Sequence, residues 1–123
     1  MSSLLKITGS DGSQKRNAND FYPTPDSATE ALLNREEFKF AVWEPACGDG
    51  AISKVLQKQS HNVISTDLID YGFGDSGRDF LFEQELLAPD IITNPPFSLA
   101  HEFAQKAIDL GVNKLALLVR LQF

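Results

Sequence analysis

Short apolar stretches alternate with amphipathic segments along most of this chain, and no other feature constrains its fold as strongly. The segments between the stretches carry apolar residues at the 3.6-residue spacing of a helix. Strands that are apolar throughout and alternate with helices are typical of a parallel sheet covered on both faces. The sequence therefore predicts an α/β fold with a doubly wound, mostly parallel sheet. The predicted strands cover residues 40–43, 62–66, 90–93 and 114–119.

The first predicted helix has a clear start signal at Thr24-Pro25-Asp26. Thr24 suits the N-cap, Pro25 suits the first helical position, and Asp26 complements the positive end of the helix dipole. Two further amphipathic segments follow later in the chain. The predicted helices extend from this start to about residue 34, over 51–59 and over 98–110.

Composition bounds the class of protein. The chain has 123 residues, of which 42% are hydrophobic and 23% charged, as expected for one globular domain. No apolar stretch has the length of a membrane span or a secretory signal, so we expect a cytoplasmic location without membrane contact. The single cysteine excludes an intramolecular disulfide. A net charge of −6 argues against a generally basic surface for nucleic acid, but it leaves room for a local basic groove.

The two ends of the chain carry separate expectations. Residues 1–19 are rich in Ser, Gly, Asn and Asp and have no apolar period, so we expect a flexible arm there. Residues 20–123 are expected to form the folded domain. The sequence stops at or just after its last apolar strand, and such an edge is seldom left unprotected. We therefore expect a sheet that is incomplete at the C-terminus, as in a fragment.

Polar residues follow three of the predicted strands, namely Glu44, Asp67 and Asn94. Because ligands of parallel α/β sheets bind beyond the carboxyl ends of the strands, we expect these residues to face one crevice. Gly48 and Gly50, between the first strand and the second helix, allow a tight turn close to a ligand, although a plain glycine-rich turn is an equal interpretation. Asp67 suits the two hydroxyls of a ribose, with a solvated turn aspartate as the alternative.

A weaker signal lies at Asp79 and Phe80, after a glycine-rich segment at 69–78 that is predicted to be a loop. The carboxylate could accept a hydrogen bond from an adenine amino group, and the ring could pack on the adenine. The alternative is a core phenylalanine beside a surface aspartate. On their own, these two residues favour that alternative.

The tetrapeptide Asn94-Pro95-Pro96-Phe97, directly after a predicted strand, is the most specific motif. A fixed tetrapeptide occurs by chance in about one in a thousand chains of this length. The two prolines fix φ and remove two N–H donors, which leaves a rigid bend that presents carbonyls and the Asn94 amide. Such a bend suits a site that accepts hydrogen bonds from an –NH2 group. A proline-terminated strand end is the alternative.

Together these motifs resemble the S-adenosylmethionine-dependent amino-methyltransferases, and most closely the DNA adenine-N6 members of that family. The resemblance implies a Rossmann-like methyltransferase fold over residues 20–123, with S-adenosylmethionine as cofactor and no metal. It assigns the ribose to Asp67, the cofactor adenine to Asp79 and Phe80, and catalysis to Asn94, Pro95, Pro96 and Phe97. The remaining cofactor-binding residues implied by the resemblance are Tyr22, Thr24, Glu44, Ala46, Gly48 and Gly50.

The resemblance also implies a substrate, an adenine that is flipped out of a DNA duplex. Phe97 would stack on this base, while the Asn94 side-chain oxygen and the Pro95 carbonyl would accept hydrogen bonds from its amino group. RNA bases and protein glutamine also offer a planar –NH2 and are alternative substrates of the same chemistry. An inactive cofactor-binding module is the alternative from a different class.

Overall fold

The computed structural model describes residues 21–120, and the predicted arm at 1–19 lies outside them. Its centre is a four-stranded sheet in the order β2-β1-β3-β4. Every neighbouring pair of strands is parallel, so the predicted α/β class and parallel sheet are confirmed. The strands are β1 Val42–Glu44, β2 Val63–Ser65, β3 Asp90–Thr93 and β4 Lys114–Leu117.

The described part of the chain also contains three α-helices, close to the predicted positions. They are α1 Asp26–Arg35, α2 Ala51–Lys58 and α3 Ala100–Asp109. Two short 3-10 turns, Phe80–Phe82 and Phe97–Leu99, precede β3 and α3. The second turn explains why α3 begins later than predicted, because the chain leaves the two prolines in a tighter winding before the α-helix starts.

The N-cap role predicted for Thr24 is wrong. Helix α1 begins at Asp26, Pro25 occupies the N-cap position in an extended conformation, and no side chain caps the helix. The backbone supplies the contact instead, since the Ala28 N–H donates to the Pro25 carbonyl at 3.0 Å. Thr24 is buried and lines the two cavities described below. The sequence pattern therefore predicted the helix correctly, but it assigned the N-cap position to the wrong residue.

The central strands bury side chains on both faces of the sheet. On one face, Trp43 and Ile91 pack with Phe103 of α3. On the other face, Val42 and Ile92 pack with apolar residues of α2. Successive side chains of a strand point to opposite faces, so helices cover both sides of β1 and β3. Each large apolar side chain buried in this way contributes about 1.5–3 kcal/mol to folding.

The strand order places a topological switch between β1 and β3. From β1 the chain passes through α2 to β2 on one side, and it then returns to form β3 on the other side of β1. Open α/β sheets bind ligands at this point, beyond the carboxyl ends of the strands. Glu44 ends β1 and Asn94 follows β3, so the fold brings both residues to the switch.

The glycine-rich segment at 69–78 is a loop, as predicted, and a single parallel bridge between Thr66 and Asp75 ties it to the end of β2. Gly74 lies close against the body of the protein in the left-handed region, with φ of +71°. A Cβ atom there would lie 2.7 Å from the Ser65 carbonyl oxygen. Glycine is therefore required where this loop crosses the strand end.

Candidate functional site

The carboxyl ends of β1, β2 and β3 surround an open cleft of about 470 Å³, here called the first cleft. Glu44, Asp67 and Asn94 all line it, so the structure brings together the three residues that strand topology predicted to converge. The other lining residues are Phe21, Tyr22, Pro23, Thr24, Ala46, Cys47, Gly48, Asp49, Ala51, Ile52, Tyr71 and Pro96.

Glu44 is a buried carboxyl group that joins two strands. Its Oε2 atom accepts hydrogen bonds from the Thr93 hydroxyl at 2.6 Å and from the Ala46 N–H at 2.8 Å. Burial raises the pKa of Glu44 from its ordinary 4.5 to about 8, while these two bonds oppose the shift and the nearby Asp67 charge adds to it. In the absence of a cationic partner, Glu44 is therefore mainly protonated at neutral pH.

Asp67 is also buried, and it holds the chain around the cleft in place. Its Oδ2 atom accepts from the Gly48 N–H at 2.9 Å, and its Oδ1 atom accepts from the Ile69 N–H at 3.0 Å. The sequence did not predict this role in fixing the glycine loop. Each carboxylate oxygen offers a second lone pair, so the contacts are compatible with hydrogen bonds to ribose hydroxyls as well.

The two glycines of the loop after β1 are required by aromatic neighbours. Gly48 has φ of +55°, and a Cβ atom there would lie 2.7 Å from the Phe21 ring. Gly50 has φ of +94°, and its Cβ would lie 2.9 Å from the Phe73 ring. Gly48 lines the first cleft, whereas Gly50 starts α2 behind it. Glycine is therefore needed at these two positions for packing against the aromatic rings as much as for access by a ligand.

Cys47 has the environment of an unreactive thiol. It is buried, and burial together with the charges of Glu44 and Asp67 raises its pKa to about 12. Its Sγ atom lies 3.5 Å from the Phe73 carbonyl oxygen. Since the thiolate is the reactive form, Cys47 fills space in the loop and is not a nucleophile at neutral pH.

Asp79 and Phe80 do not line the first cleft. The Asp79 carboxylate accepts from the Leu81 N–H at 3.0 Å and caps the 3-10 turn. The Phe80 ring is 1% exposed and packs edge-on against Trp43 at 5.2 Å between ring centroids. The ring packs in the hydrophobic core with Trp43 and Phe103, which is the position expected from the alternative of a core phenylalanine.

The Asn94 side chain has a fixed orientation. Its Nδ2 atom donates to the Tyr22 carbonyl oxygen at 2.6 Å. A carbonyl oxygen only accepts, so the amide must turn its –NH2 group toward Tyr22, and the Oδ1 atom remains as an acceptor. Pro95 and Pro96, which follow, are buried and hold the bend. This contact joins two residues that are 72 positions apart.

Phe97 stands at the surface beyond this bend. Its side chain is 60% exposed, which is unusual for a phenylalanine next to a buried strand. The backbone continues directly into the 3-10 turn, where the Leu99 N–H donates to the Pro96 carbonyl at 2.8 Å. Phe97 therefore presents an exposed aromatic face three positions after Asn94 in the chain, but it is not among the residues that line the first cleft or the second cavity.

A second cavity, with about 420 Å³ of empty space, adjoins the first cleft on the β4 side. Tyr22, Thr24 and Asn94 line both. The Arg120 guanidinium lies 4.2 Å from the centroid of the Tyr22 ring. Sequence reasoning missed this cavity, although the carboxyl end of β4 lies at the same edge of the sheet as the other strand ends. The remaining lining residues are Pro25, Leu118, Val119 and Arg120.

Fold and site define a class, an open parallel α/β protein with a ligand cleft at its topological switch. No family model matches the chain. No curated protein shows significant similarity to it. Within residues 21–120, no helix is long and apolar enough to cross a membrane. The same residues contain no group of three or more His, Cys, Asp or Glu side chains placed to hold a metal ion.

Proposed function

We propose that this protein transfers a methyl group from S-adenosylmethionine to the exocyclic amino group of adenine in DNA. One observation carries the proposal. Asn94 holds its –NH2 group against the Tyr22 carbonyl at 2.6 Å, which leaves its Oδ1 atom as an acceptor at a residue that lines both cavities. Such a residue can contact an amino group on one side and its methyl donor on the other.

The first cleft fits the proposed cofactor by its charge. S-adenosylmethionine carries an ammonium and a sulfonium, and the carboxyl groups of Glu44 and Asp67 line the cleft. Asp67, which accepts hydrogen bonds from the Gly48 and Ile69 N–H groups at the edge of this cleft, is proposed to contact the ribose hydroxyls. When bound, S-adenosylmethionine supplies the methyl group as an electrophile.

The proposed role of Asn94 is to activate the attacking amine. Its Oδ1 atom, together with the Pro95 carbonyl, accepts hydrogen bonds from the target –NH2, so the nitrogen lone pair is directed at the methyl carbon. Methyl transfer would form the nitrogen–carbon bond as the carbon–sulfur bond breaks, with the electron pair going to sulfur and the surplus proton of the amine leaving to solvent. The positive charge that develops on nitrogen is stabilised by the same acceptors. Holding both reactants in line supplies the proximity effect.

Phe97 supports a nucleobase as the substrate. Its ring is 60% exposed beside Asn94 and can stack on a base that has left the duplex. Stacking holds the plane of the base, while the acceptors at Asn94 and Pro95 hold its amino group. The two contacts together define both the position and the direction of the nucleophile.

Methyl transfer from labelled S-adenosylmethionine tests the proposal. The protein is incubated separately with DNA, RNA and protein pools, and the products are separated as nucleosides and amino acids. We expect N6-methyladenine from the DNA pool. Asn94→Ala is the matched control, which should bind the cofactor but transfer little label. Label found only in RNA or on glutamine would replace the proposed substrate, and a protein that binds no cofactor would overturn the proposed function.

A further inference from the structure

Residues 21–25 form a segment, here called the strap, that crosses the carboxyl ends of the strands. At one end, the Phe21 ring stacks on Tyr71 in the loop after β2. The next residue, Tyr22, accepts a hydrogen bond from Asn94 after β3. Since β1 lies between β2 and β3 in the sheet, the strap spans three strand ends. It therefore contacts both the wall of the first cleft and the proposed catalytic amide.

The Phe21 ring anchors the strap. It stacks on the Tyr71 ring with 4.4 Å between the ring centroids and 17° between the ring planes. The same ring rests on the loop after β1, because a Cβ atom at Gly48 would lie only 2.7 Å from it. Stacked aromatic pairs stabilise a structure beyond the area that they bury. Two contacts with different loops thus fix the ring, and with it the backbone that leads into Tyr22.

The Tyr22 carbonyl is the group that the strap presents to Asn94. Its backbone is held on both sides, by the Phe21 ring one position earlier and by the buried Thr24 two positions later. The Tyr22 ring adds a contact with Arg120. Both of those side chains are exposed, so this contact restrains the backbone less than the contacts of Phe21 do.

The orientation of the Asn94 amide depends on that carbonyl. The two ends of an asparagine amide have opposite hydrogen-bond character, since the –NH2 group donates and Oδ1 accepts. The Tyr22 carbonyl holds the –NH2 group at 2.6 Å, which leaves Oδ1 for the target amine. An amide turned the other way would present N–H groups to the N–H groups of the target. The position of the Tyr22 carbonyl therefore decides whether Asn94 can accept from the amine.

We propose that Phe21 is a positioning residue for methyl transfer. By anchoring the strap, it places the Tyr22 carbonyl, and this carbonyl sets the orientation of the Asn94 amide. The inference rests on the proposed function and deepens it, because it makes the amide orientation depend on contacts with the loops around the first cleft. Phe21 acts through Asn94 and not on the reacting atoms.

The first test reads the Asn94 amide directly in the full chain without any ligand. The side-chain –NH2 signals of Asn94 in a ¹H–¹⁵N NMR spectrum are identified as the pair that Asn94→Ala lacks. In the parent, the proton that is bonded to the Tyr22 carbonyl should give a downfield signal. In Phe21→Ala this signal should move toward the position of a free amide, because the carbonyl is no longer held in place.

The second test measures the single-turnover rate of DNA adenine methylation, with S-adenosylmethionine saturating for each variant. Losing a neutral hydrogen bond costs a factor of about two to ten in the equilibrium that it supports. We expect Phe21→Ala to lower the rate by a factor of that order. Because the cofactor is saturating, a loss of cofactor affinity cannot explain the decrease.

Two variants serve as controls in both tests. Phe21→Tyr retains the ring, so the Asn94 signals and the methylation rate should stay close to those of the parent. Phe82→Ala removes a phenylalanine that is 80% exposed and lines neither cavity. This variant should match the parent in both measurements.

Three results would overturn the inference. They are unchanged Asn94 signals in Phe21→Ala, a parental methylation rate in that variant, and an equal signal shift in Phe82→Ala. Slower transfer with unchanged Asn94 signals would mean that Phe21 acts on a ligand directly. Failure of the proposed function gives a different pattern. In that case the parent itself transfers no methyl group, although Phe21→Ala still shifts the Asn94 signals.

Discussion

The first cleft and the second cavity share Asn94, yet they are built in different ways. Buried carboxyl groups build the first cleft, where Glu44 and Asp67 each accept backbone N–H groups and tie loops to strand ends. The second cavity depends on an exposed contact between Arg120 and the Tyr22 ring. Bonds of the first kind fix the shape of a cleft before a ligand arrives, whereas an exposed ring contact restrains its side chains less. The proposed function uses both regions, with a small cofactor on one side of Asn94 and the amino group of the substrate on the other.

The largest expected effect comes from Asn94, one of the three residues that line both cavities. Asn94→Ala should lower the single-turnover rate of DNA methylation about a hundredfold, since losing one transition-state hydrogen bond costs on the order of 3 kcal/mol. Affinity for S-adenosylhomocysteine, measured by calorimetry, should remain at the parental value. A parental methylation rate would refute the amine-activating role and remove the functional link between the two cavities.

Phe97→Ala should act on the substrate side alone. It removes a stacking surface worth about 1–3 kcal/mol per base, so target binding and methylation both decrease. Phe97→Tyr keeps the ring face and should retain most of the activity. Comparing oligonucleotide affinity between the two variants isolates the stacking contribution. Equal losses in both variants would contradict the stacking role, because Phe97→Tyr keeps the ring face.

Asp67→Ala should act on the cofactor side alone. The substitution removes the acceptors for the Gly48 and Ile69 N–H groups along with those proposed for ribose. A lost hydrogen bond to a charged group costs about 1.5–3 kcal/mol, so affinity for S-adenosylhomocysteine should fall at least about tenfold. Calorimetry checks this value, and oligonucleotide binding without cofactor serves as the control. Unchanged cofactor affinity would rule out the ribose assignment.

The smallest predicted effect is a pH dependence confined to the first cleft. Burial raises the pKa of Glu44 to about 8, and an ammonium-bearing ligand prefers the ionised carboxylate. Affinity for S-adenosylhomocysteine should therefore rise severalfold with pH up to about 8, with release of a proton on binding. Calorimetry in buffers of different ionisation enthalpy measures that proton. Oligonucleotide binding should not follow this profile.

Glu44→Gln provides the control, because the amide resembles the neutral carboxyl group and cannot titrate. In this variant the cofactor affinity should be independent of pH over the same range. Stability gives a second readout. The folded pKa lies above the ordinary 4.5, so the stabilising contribution of the neutral Glu44 is complete below about pH 4.5. It is lost as the pH rises through about 8, and denaturant unfolding of Glu44→Gln should lack that loss.

The local pattern of apolar residues was sufficient to predict the strands and helices of the molecule and their α/β arrangement. The segment Asp90–Thr93 forms β3 with the predicted bounds, because two buried isoleucines lie between the polar residues at its ends. The convergence of Glu44, Asp67 and Asn94 was also predictable. Parallel strands place all their carboxyl ends at one edge, so the position of a residue in the sequence already decides its side of the sheet.

The sequence could not supply contacts that depend on packing between distant segments. The family resemblance assigned Phe80 to the cofactor adenine, although its ring fills the core beside Trp43 and Phe103. The neighbouring residues in the sequence do not distinguish a ligand-binding phenylalanine from a core phenylalanine. Thr24 looked like a helix cap but became buried. The bond from Asn94 to the Tyr22 carbonyl spans 72 positions, and only the folded backbone creates it.

The burial of Cys47 beneath the loop at 72–75 has a practical consequence. The thiol is the single cysteine of the chain, and both the Phe73 carbonyl and the close approach of Gly74 cover it. A thiol reagent can reach Cys47 only when this loop moves away from the protein. The labelling rate therefore measures how often the loop opens. Labelling of this single cysteine can therefore follow the motion of the loop at 72–75 without any added probe site.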